Sequence, residues 1–182
     1  MSSEENLLPL IVEPEQLAEH LDDPQLLIVD VPLRSESYDE GHVPGAVFLD
    51  FRRLMRGEGE VPNEVPSPEA LSRLFSSLGL TRDTHVVAYD DEGGGWAGRL
   101  LWTLEIVGHQ RYSLLNGGMT AWAREGHPVE AGHNQPVPSR YKVRLPEASD
   151  ARIAKQELLS RLGAADLAIL DARSPAEYEG AD

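Results

Sequence analysis

The residues best suited to chemistry lie in Val86-Val87-Ala88-Tyr89-Asp90-Asp91-Glu92-Gly93-Gly94-Gly95-Trp96-Ala97-Gly98-Arg99. An apolar run ends in acids, three glycines let the chain turn sharply, and a helical pattern follows. Such a junction aims backbone N–H groups and a helix N-terminus at the loop centre, the geometry of an anion cradle. In open α/β sheets, sites gather at these carboxyl ends of strands. Gly93-x-Gly95-x-x-Gly98 also satisfies the dinucleotide-binding spacing, but two features oppose that reading. No acid closes the next strand to hold a ribose, since Tyr112–Leu115 runs into Asn116, and Asp90, Asp91 and Glu92 would face a pyrophosphate. Like charges ~4 Å apart repel by about 1 kcal/mol in water and by ~4 at an effective dielectric of 20. A phosphorylated Asp90 with Glu92 beside it lacks the rest of such a motif. Asp90 is therefore expected to satisfy the loop's own N–H groups, and Arg99 to hold the acidic loop in place.

Other reactive groups are scarce. The chain has no cysteine, so these residues hold no disulfide, thiolate metal site or cysteine nucleophile. His85, His109, His127 and His133 show no paired metal spacing, and no cofactor or metal is expected. Within Gly41-His42-Val43-Pro44-Gly45, Pro44-Gly45 suits the centre of a type II turn, and His42 reads as a hydrogen-bonded turn residue. Trp96, Trp102 and Trp122 fall on or beside apolar helix faces, with Trp96 near enough to the loop to line an interface.

The elements that must position the loop alternate along the chain. Leu10–Val12 reads as a short strand and Pro14 opens a helix through Leu21. Leu26–Val31 is an apolar run interrupted only by Asp30, the mark of a strand buried on both faces of a parallel sheet. Ser35 suits the cap of a short helix ended by Gly41, and Ala46–Leu49 is the next strand. A Gly/Pro/Glu loop over 57–66 leads to Ser67-Pro68 and a helix with Leu71, Leu74, Phe75 and Leu78 on one face. His85–Tyr89 is a further buried strand, followed by a helix closed by Gly108, a strand over Tyr112–Leu115, and a short helix over Met119–Glu125. Strands alternating with helices predict the α/β class, with a parallel sheet flanked by helices on both faces.

Prolines 128, 136 and 138 mark a linker around 127–140. The pattern then restarts: Tyr141–Leu145 is strand-like, Ser149 is placed to cap a helix bearing Ile153, Leu158, Leu159 and Leu162, and Leu167–Leu170 is another apolar strand. Leu26–Asp30 with Arg34-Ser35 and Tyr38 matches Leu167–Asp171 with Arg173-Ser174 and Tyr178 at an offset near 141 residues. Tandem duplication follows as the expectation. The second copy, 141–182, is too short to close its own core, so the chain is expected to be a piece of a longer tandem protein. Residues 141–182 should then pair with the remainder of that second domain or with another copy.

Composition bounds the partners. Among 182 residues, 31 are acidic and 16 basic, a net charge of −15, and 41% are hydrophobic. That apolar share suffices for a core and excludes wholesale disorder. Such an excess of acid repels phosphate backbones and anionic headgroups, arguing against nucleic-acid and membrane roles. The acidic start lacks a secretory n-region and no apolar h-region follows. A cytoplasmic, soluble protein is expected.

Three motifs in register carry a family resemblance. Gly41-His42-Val43-Pro44-Gly45-Ala46, the strand–Asp90–glycine loop–Arg99 element, and Leu115-Asn116-Gly117-Gly118-Met119-Thr120-Ala121-Trp122 through Glu125-Gly126-His127-Pro128 together resemble a rhodanese domain. The tandem order resembles the two-domain thiosulfate:cyanide sulfurtransferases. The resemblance implies a rhodanese-like domain over 1–133, catalytically silent, a linker over 134–140, and the start of a catalytic rhodanese domain over 141–182. It implies transfer of sulfane sulfur from thiosulfate to cyanide or another thiophile through a cysteine persulfide. Asp90 occupies the cysteine position, so this chain alone is expected to be inactive, its silent loop formed by Asp90, Asp91, Glu92, Gly93, Gly94, Gly95 and Arg99. The counterpart of Asp90 in the second copy falls near position 231 by the repeat offset. Asp171 and Arg173 sit where family members support the donor site near the domain interface, although a plain ion pair accounts for them equally. Glu177 stands where a second base often follows, and Ser174-Pro175-Ala176-Glu177 makes a capping box. The alternative function is a non-enzymatic rhodanese-like binding or regulatory module.

Overall fold

In the computed structural model, which describes residues 6–32, 34–57, 63–145 and 150–181, the longest apolar runs pair with each other. Strand β2 (Leu26–Asp30) lies parallel to β4 (His85–Tyr89) from Leu26↔His85 to Asp30↔Tyr89. Strand β5 (Tyr112–Leu115) adds to the other side of β4. The edges are two-residue strands, β1 (Ile11–Val12) beside β5 and β3 (Val47–Phe48) beside β2, which gives the order β1-β5-β4-β2-β3. Edges this short offer little template for unwanted pairing.

Every residue of β4 is buried, because both sheet faces are covered. On one face Val29, Val86 and Ala88 pack against helices α3 (Pro68–Ser77) and α4 (Gly95–Ile106). On the other, Ile28, Val87 and Tyr89 meet α1 (Pro14–Ala18), α2 (Ser35–Glu40) and α5 (Gly118–Arg124), with Trp122 fully buried. Helix starts follow local chemistry: the Ser67 hydroxyl accepts the Ala70 N–H at 3.3 Å, with Pro68 in the first turn. Helix α2 differs from expectation. Arg34 holds its N-cap position and Ser35 is already helical, with no side-chain cap.

The chain divides into two compact units, Met1–Ala148 and Ser149–Asp182. The first unit includes the segment read as a linker, which is bonded to it at Asn134 and Ser139. The Asn134 N–H donates to Tyr38 Oη at 3.1 Å and its amide to the Ala46 carbonyl at 3.0 Å. The Ser139 N–H donates to the Ser76 carbonyl at 2.9 Å, and the Ser139 hydroxyl to the Leu80 carbonyl.

Residues 141–145 are not a strand. Tyr141 and Val143 are buried while Lys142 and Arg144 are exposed, so the alternation is that of a strand. The partner is a helix: the Tyr141 N–H donates to Ser76 Oγ at 2.9 Å and the Val143 N–H to Ser72 Oγ at 2.9 Å. Two hydroxyls one turn apart on α3 thus replace a ladder. Tyr141 meets Phe75 edge-on at 5.6 Å and its hydroxyl pairs with His109 Nδ1 at 3.2 Å. Removing both hydroxyls (Ser72→Ala with Ser76→Ala) should cost about 2 kcal/mol, about 1 for each N–H left without its partner. Chemical denaturation reads the loss, and faster amide exchange at Tyr141 and Val143 would locate it; unchanged exchange there would contradict the assignment.

In the second unit, α6 (Lys155–Arg161) starts after Ala154, and α7 (Pro175–Glu179) starts at Ser174 with a reciprocal capping box to Glu177. Ile153 precedes α6 and Leu162 ends it, while the expected Ser149 cap lies outside the described residues, as does 58–62 of the loop over 57–66. The expected strand over Leu167–Leu170 does not form. A strand requires ladder partners, and the described residues of this unit contain none. Leu159, Leu162, Ile169, Leu170 and Tyr178 are exposed, Leu170 at 92%.

Candidate functional site

Strand β4 ends at Tyr89, and Asp90 is the first residue of the loop that follows. The carboxylate turns inward and is almost fully buried. One oxygen accepts the N–H groups of Glu92 at 3.0 Å and Gly94 at 2.7 Å; the other accepts those of Trp96 and Ala97, both at 2.9 Å. The loop can wrap the carboxylate because Gly93 and Gly94 take left-handed φ values of 88° and 94°. Gly94 caps α4, so the helix N-terminus and its dipole also face Asp90. The anion cradle forms as expected, and the chain's own carboxylate fills it. Asp91, Glu92, Gly93 and Gly95 lie on its rim.

The loop is braced from behind. The Met119 N–H reaches the Asp90 carbonyl at 3.3 Å, and a Cβ on Gly118, whose φ is +55°, would lie 2.2 Å from that oxygen. Glycine at 118 is the only residue that permits this approach. On the other side Asp30, at the end of β2, is buried beside Tyr89. Burial pushes its carboxyl up to about 7; the Tyr89 hydroxyl bond opposes that shift, and the charges of Asp91 and Asp90 add to it. Tyr89 Oη in turn accepts the Val43 N–H at 3.0 Å.

Arg99 serves a different loop from the one anticipated. Its guanidinium donates to the carbonyls of Leu54 (3.1 Å), Asn63 (2.9 Å) and Glu64 (3.4 Å), while stacking over Trp102 at 4.6 Å. Those carbonyls flank the Arg56–Glu64 bridge, so Arg99 ties that loop to α4. His42 is the expected turn residue, fully buried, with Nδ1 2.8 Å from the Tyr38 carbonyl and its ring stacked on Tyr38 at 4.0 Å.

Sequence reasoning missed a cleft of about 520 Å³ at this edge of the sheet, lined by Phe48, Phe51, Met55 and Trp96 with Arg34 and Arg52 among its charged groups. Phe51 and Trp96 lie 4.2 Å apart. Asp50 grips Arg52 in a fork, with Nη2 2.7 Å from Oδ2 and Nε 2.9 Å from Oδ1. Asp171 and Arg173 form the same fork in the second unit, at the same 2.7 and 2.9 Å. Arg173 holds the Asp171 carboxyl down at about 2. Asp-x-Arg spacing is the shared signal, and it was legible at 171–173 but overlooked at 50–52. Asp30 and Arg34, the repeat counterparts of Asp171 and Arg173, form no ion pair: three residues separate them and Asp30 points into the core.

Among the described residues no group of three or more acids or histidines is placed to hold a metal ion, and no helix is long and apolar enough to cross a membrane.

Comparison with known proteins matches this geometry to a family. The model of the rhodanese-like domain matches residues 13–125. A thiosulfate sulfurtransferase of Azotobacter vinelandii is 46% identical over 173 residues, covering 95% of this chain and 63% of that protein. Its counterpart in Pseudomonas aeruginosa is 43% identical, with the same coverage. The crystal structure of SseA from Escherichia coli, a 3-mercaptopyruvate sulfotransferase, superposes with a TM-score of 0.84 at 28% identity, over 93% of this chain and 67% of that one. The chain thus spans less than two thirds of the length of those two curated relatives. A parallel sheet order, a glycine loop around the end of β4, and the match over 13–125 place the chain in the rhodanese-like domain family.

Proposed function

We propose that this chain supplies the silent half of a thiosulfate sulfurtransferase whose reactive cysteine lies outside these 182 residues. One observation carries the reading: the position from which a rhodanese nucleophile would act holds Asp90, whose carboxylate already takes four cradle N–H groups. In the parent reaction a thiolate attacks the outer sulfur of thiosulfate, the S–S bond breaks, and sulfite leaves with the bonding pair. The resulting persulfide then yields its outer sulfur to cyanide or another thiophile, restoring the thiolate. A carboxylate oxygen forms no comparable persulfide, and its charge repels an anionic donor. The reading includes the start of a second rhodanese domain after the first unit, with the forked Asp171–Arg173 pair supporting the donor site. It includes cover for the exposed leucines of 149–182, supplied by the rest of that domain or by another copy. A cytoplasmic location belongs to the reading, and the net charge of −15 disfavours nucleic-acid and membrane partners.

The test is sulfur transfer by the purified chain. No thiocyanate should form from thiosulfate and cyanide above the uncatalysed rate, and Asp90→Cys should gain one sulfur atom in intact mass after exposure to thiosulfate. Turnover by the cysteine-free chain would overturn the proposal. A binding module built on this fold would give a silent wild type and an Asp90→Cys variant that never takes up sulfur.

A further inference from the structure

The segment that straps the first unit presents a row of bases. Tyr141 and Val143 point into the core, so Arg140, Lys142 and Arg144 all face solvent. Alternate residues of an extended chain stand ~6.5–7 Å apart. Arg82 joins the row from the loop before β4: its guanidinium lies 4.6 Å over the Tyr141 ring, and its Nη2 donates to the Lys142 carbonyl at 3.0 Å. Together these four line an open cleft of about 420 Å³. Four of the chain's 16 bases thus collect at one place on a molecule of net charge −15. None of the four forms an ion pair among the described residues, although five other arginines do. Asp83, the acid adjacent to Arg82, lines a separate hollow with Pro24 and Val137.

Both backbone edges of the strap carry side-chain partners, with the Lys142 N–H left over. Ser76 and Ser72 bind the amides of Tyr141 and Val143 along one edge. On the opposite edge Arg82 takes the Lys142 carbonyl, and the Lys142 N–H has no partner among the described residues.

We propose that this cleft is a docking site for an extended acidic polypeptide segment with carboxylates at alternate positions, lying alongside Arg140–Arg144. Carboxylates two residues apart on an extended segment repeat at the same spacing as the bases. A compact inorganic anion fits less well, because the four bases are spread along an open groove and are all exposed. A long polynucleotide meets the repulsion of the rest of the molecule.

Lys142 makes the site directly testable, since the chain has two lysines, Lys142 and Lys155. A short labelled peptide alternating glutamate with threonine should bind the 182-residue chain by fluorescence anisotropy, and high salt should weaken binding. Carbodiimide should couple its carboxylates to Lys142 and not to Lys155, as read by peptide mass mapping of the unmutated protein. The triple reversal Arg140→Glu, Lys142→Glu, Arg144→Glu should weaken binding by at least about tenfold with an unchanged circular dichroism spectrum. Absent binding, coupling at Lys155 instead, binding that survives the reversal, or equal affinity for a peptide with its glutamates in one block would each overturn the proposal. Tighter binding of an oligouridylate would assign the face to nucleic acid and overturn it too.

Discussion

Replacing Asp90 by alanine should destabilise the first unit by about 3–5 kcal/mol, although the residue takes no part in any reaction proposed for this chain. Hydrogen bonds to a charged group contribute roughly 1.5–3 kcal/mol each and are not additive. Four of them converge on this carboxylate, and its removal leaves aligned N–H groups and a helix N-terminus without their anion. Some of those groups sit in a loop with an open rim and regain water, which keeps the loss below the sum. Asp90→Asn should fall between wild type and alanine, since the amide offers one acceptor where the carboxylate offers two. Urea denaturation reads the order; an alanine variant within about 1 kcal/mol of wild type would show that the bonds add little.

The second large effect is hidden in the wild type because two buried groups oppose each other. Asp30 has a folded value of about 7 against an ordinary 3.8. Between those values the folded protein holds a proton that the unfolded chain has lost, so stability falls as pH rises through the window, by up to about 4 kcal/mol. His85 is the reverse. Burial, helped by the charges of Arg111 and His109, pushes it down to about 4 from 6.5. Between about 4 and 6.5 the unfolded chain holds the proton, and stability rises with pH by up to about 3 kcal/mol. The hydrogen bonding explains why His85 stays neutral. The Ser113 hydroxyl donates to the Pro9 carbonyl at 2.6 Å and so must accept from His85 Nε2 at 2.7 Å, which leaves Nδ1 without its proton and buried without a partner. Asp30→Asn, which keeps an acceptor for Tyr89, should show stability rising from about pH 4 to 7 relative to wild type. His85→Gln should show it falling. Parallel pH profiles for wild type and both variants would contradict the assignment.

The sheet and the cradle were legible for the same reason. The apolar runs at 26–29 and 86–89 have the length and composition of strands buried on both faces, and acids followed by three glycines before a helix suit a tight, N–H-rich turn. The element at 141–145 was half legible. Alternating burial reports which side chains face the core, and it is the same whether a neighbouring strand or two serine hydroxyls hold the backbone. Prolines 136 and 138 mark an irregular backbone over 134–140, and they say nothing of the bonds that Asn134 and Ser139 make to the first unit. Arg99 eluded prediction because its partners are the carbonyls of Leu54, Asn63 and Glu64, which every residue carries. The aromatic cleft beside Trp96 draws on residues from 34 to 96, a grouping that only the folded chain creates.

The occupied cradle is the claim on which the functional reading stands, and chemical rescue tests it most directly. In Asp90→Ala the four N–H groups should face an empty space of carboxylate size. Sodium formate should then raise the melting temperature of that variant progressively, beyond the rise given by sodium chloride at equal ionic strength, as a ligand bound only to the folded state must. The wild type, whose site is filled, should respond to the two salts alike. An equal response of variant and wild type to formate would contradict the account.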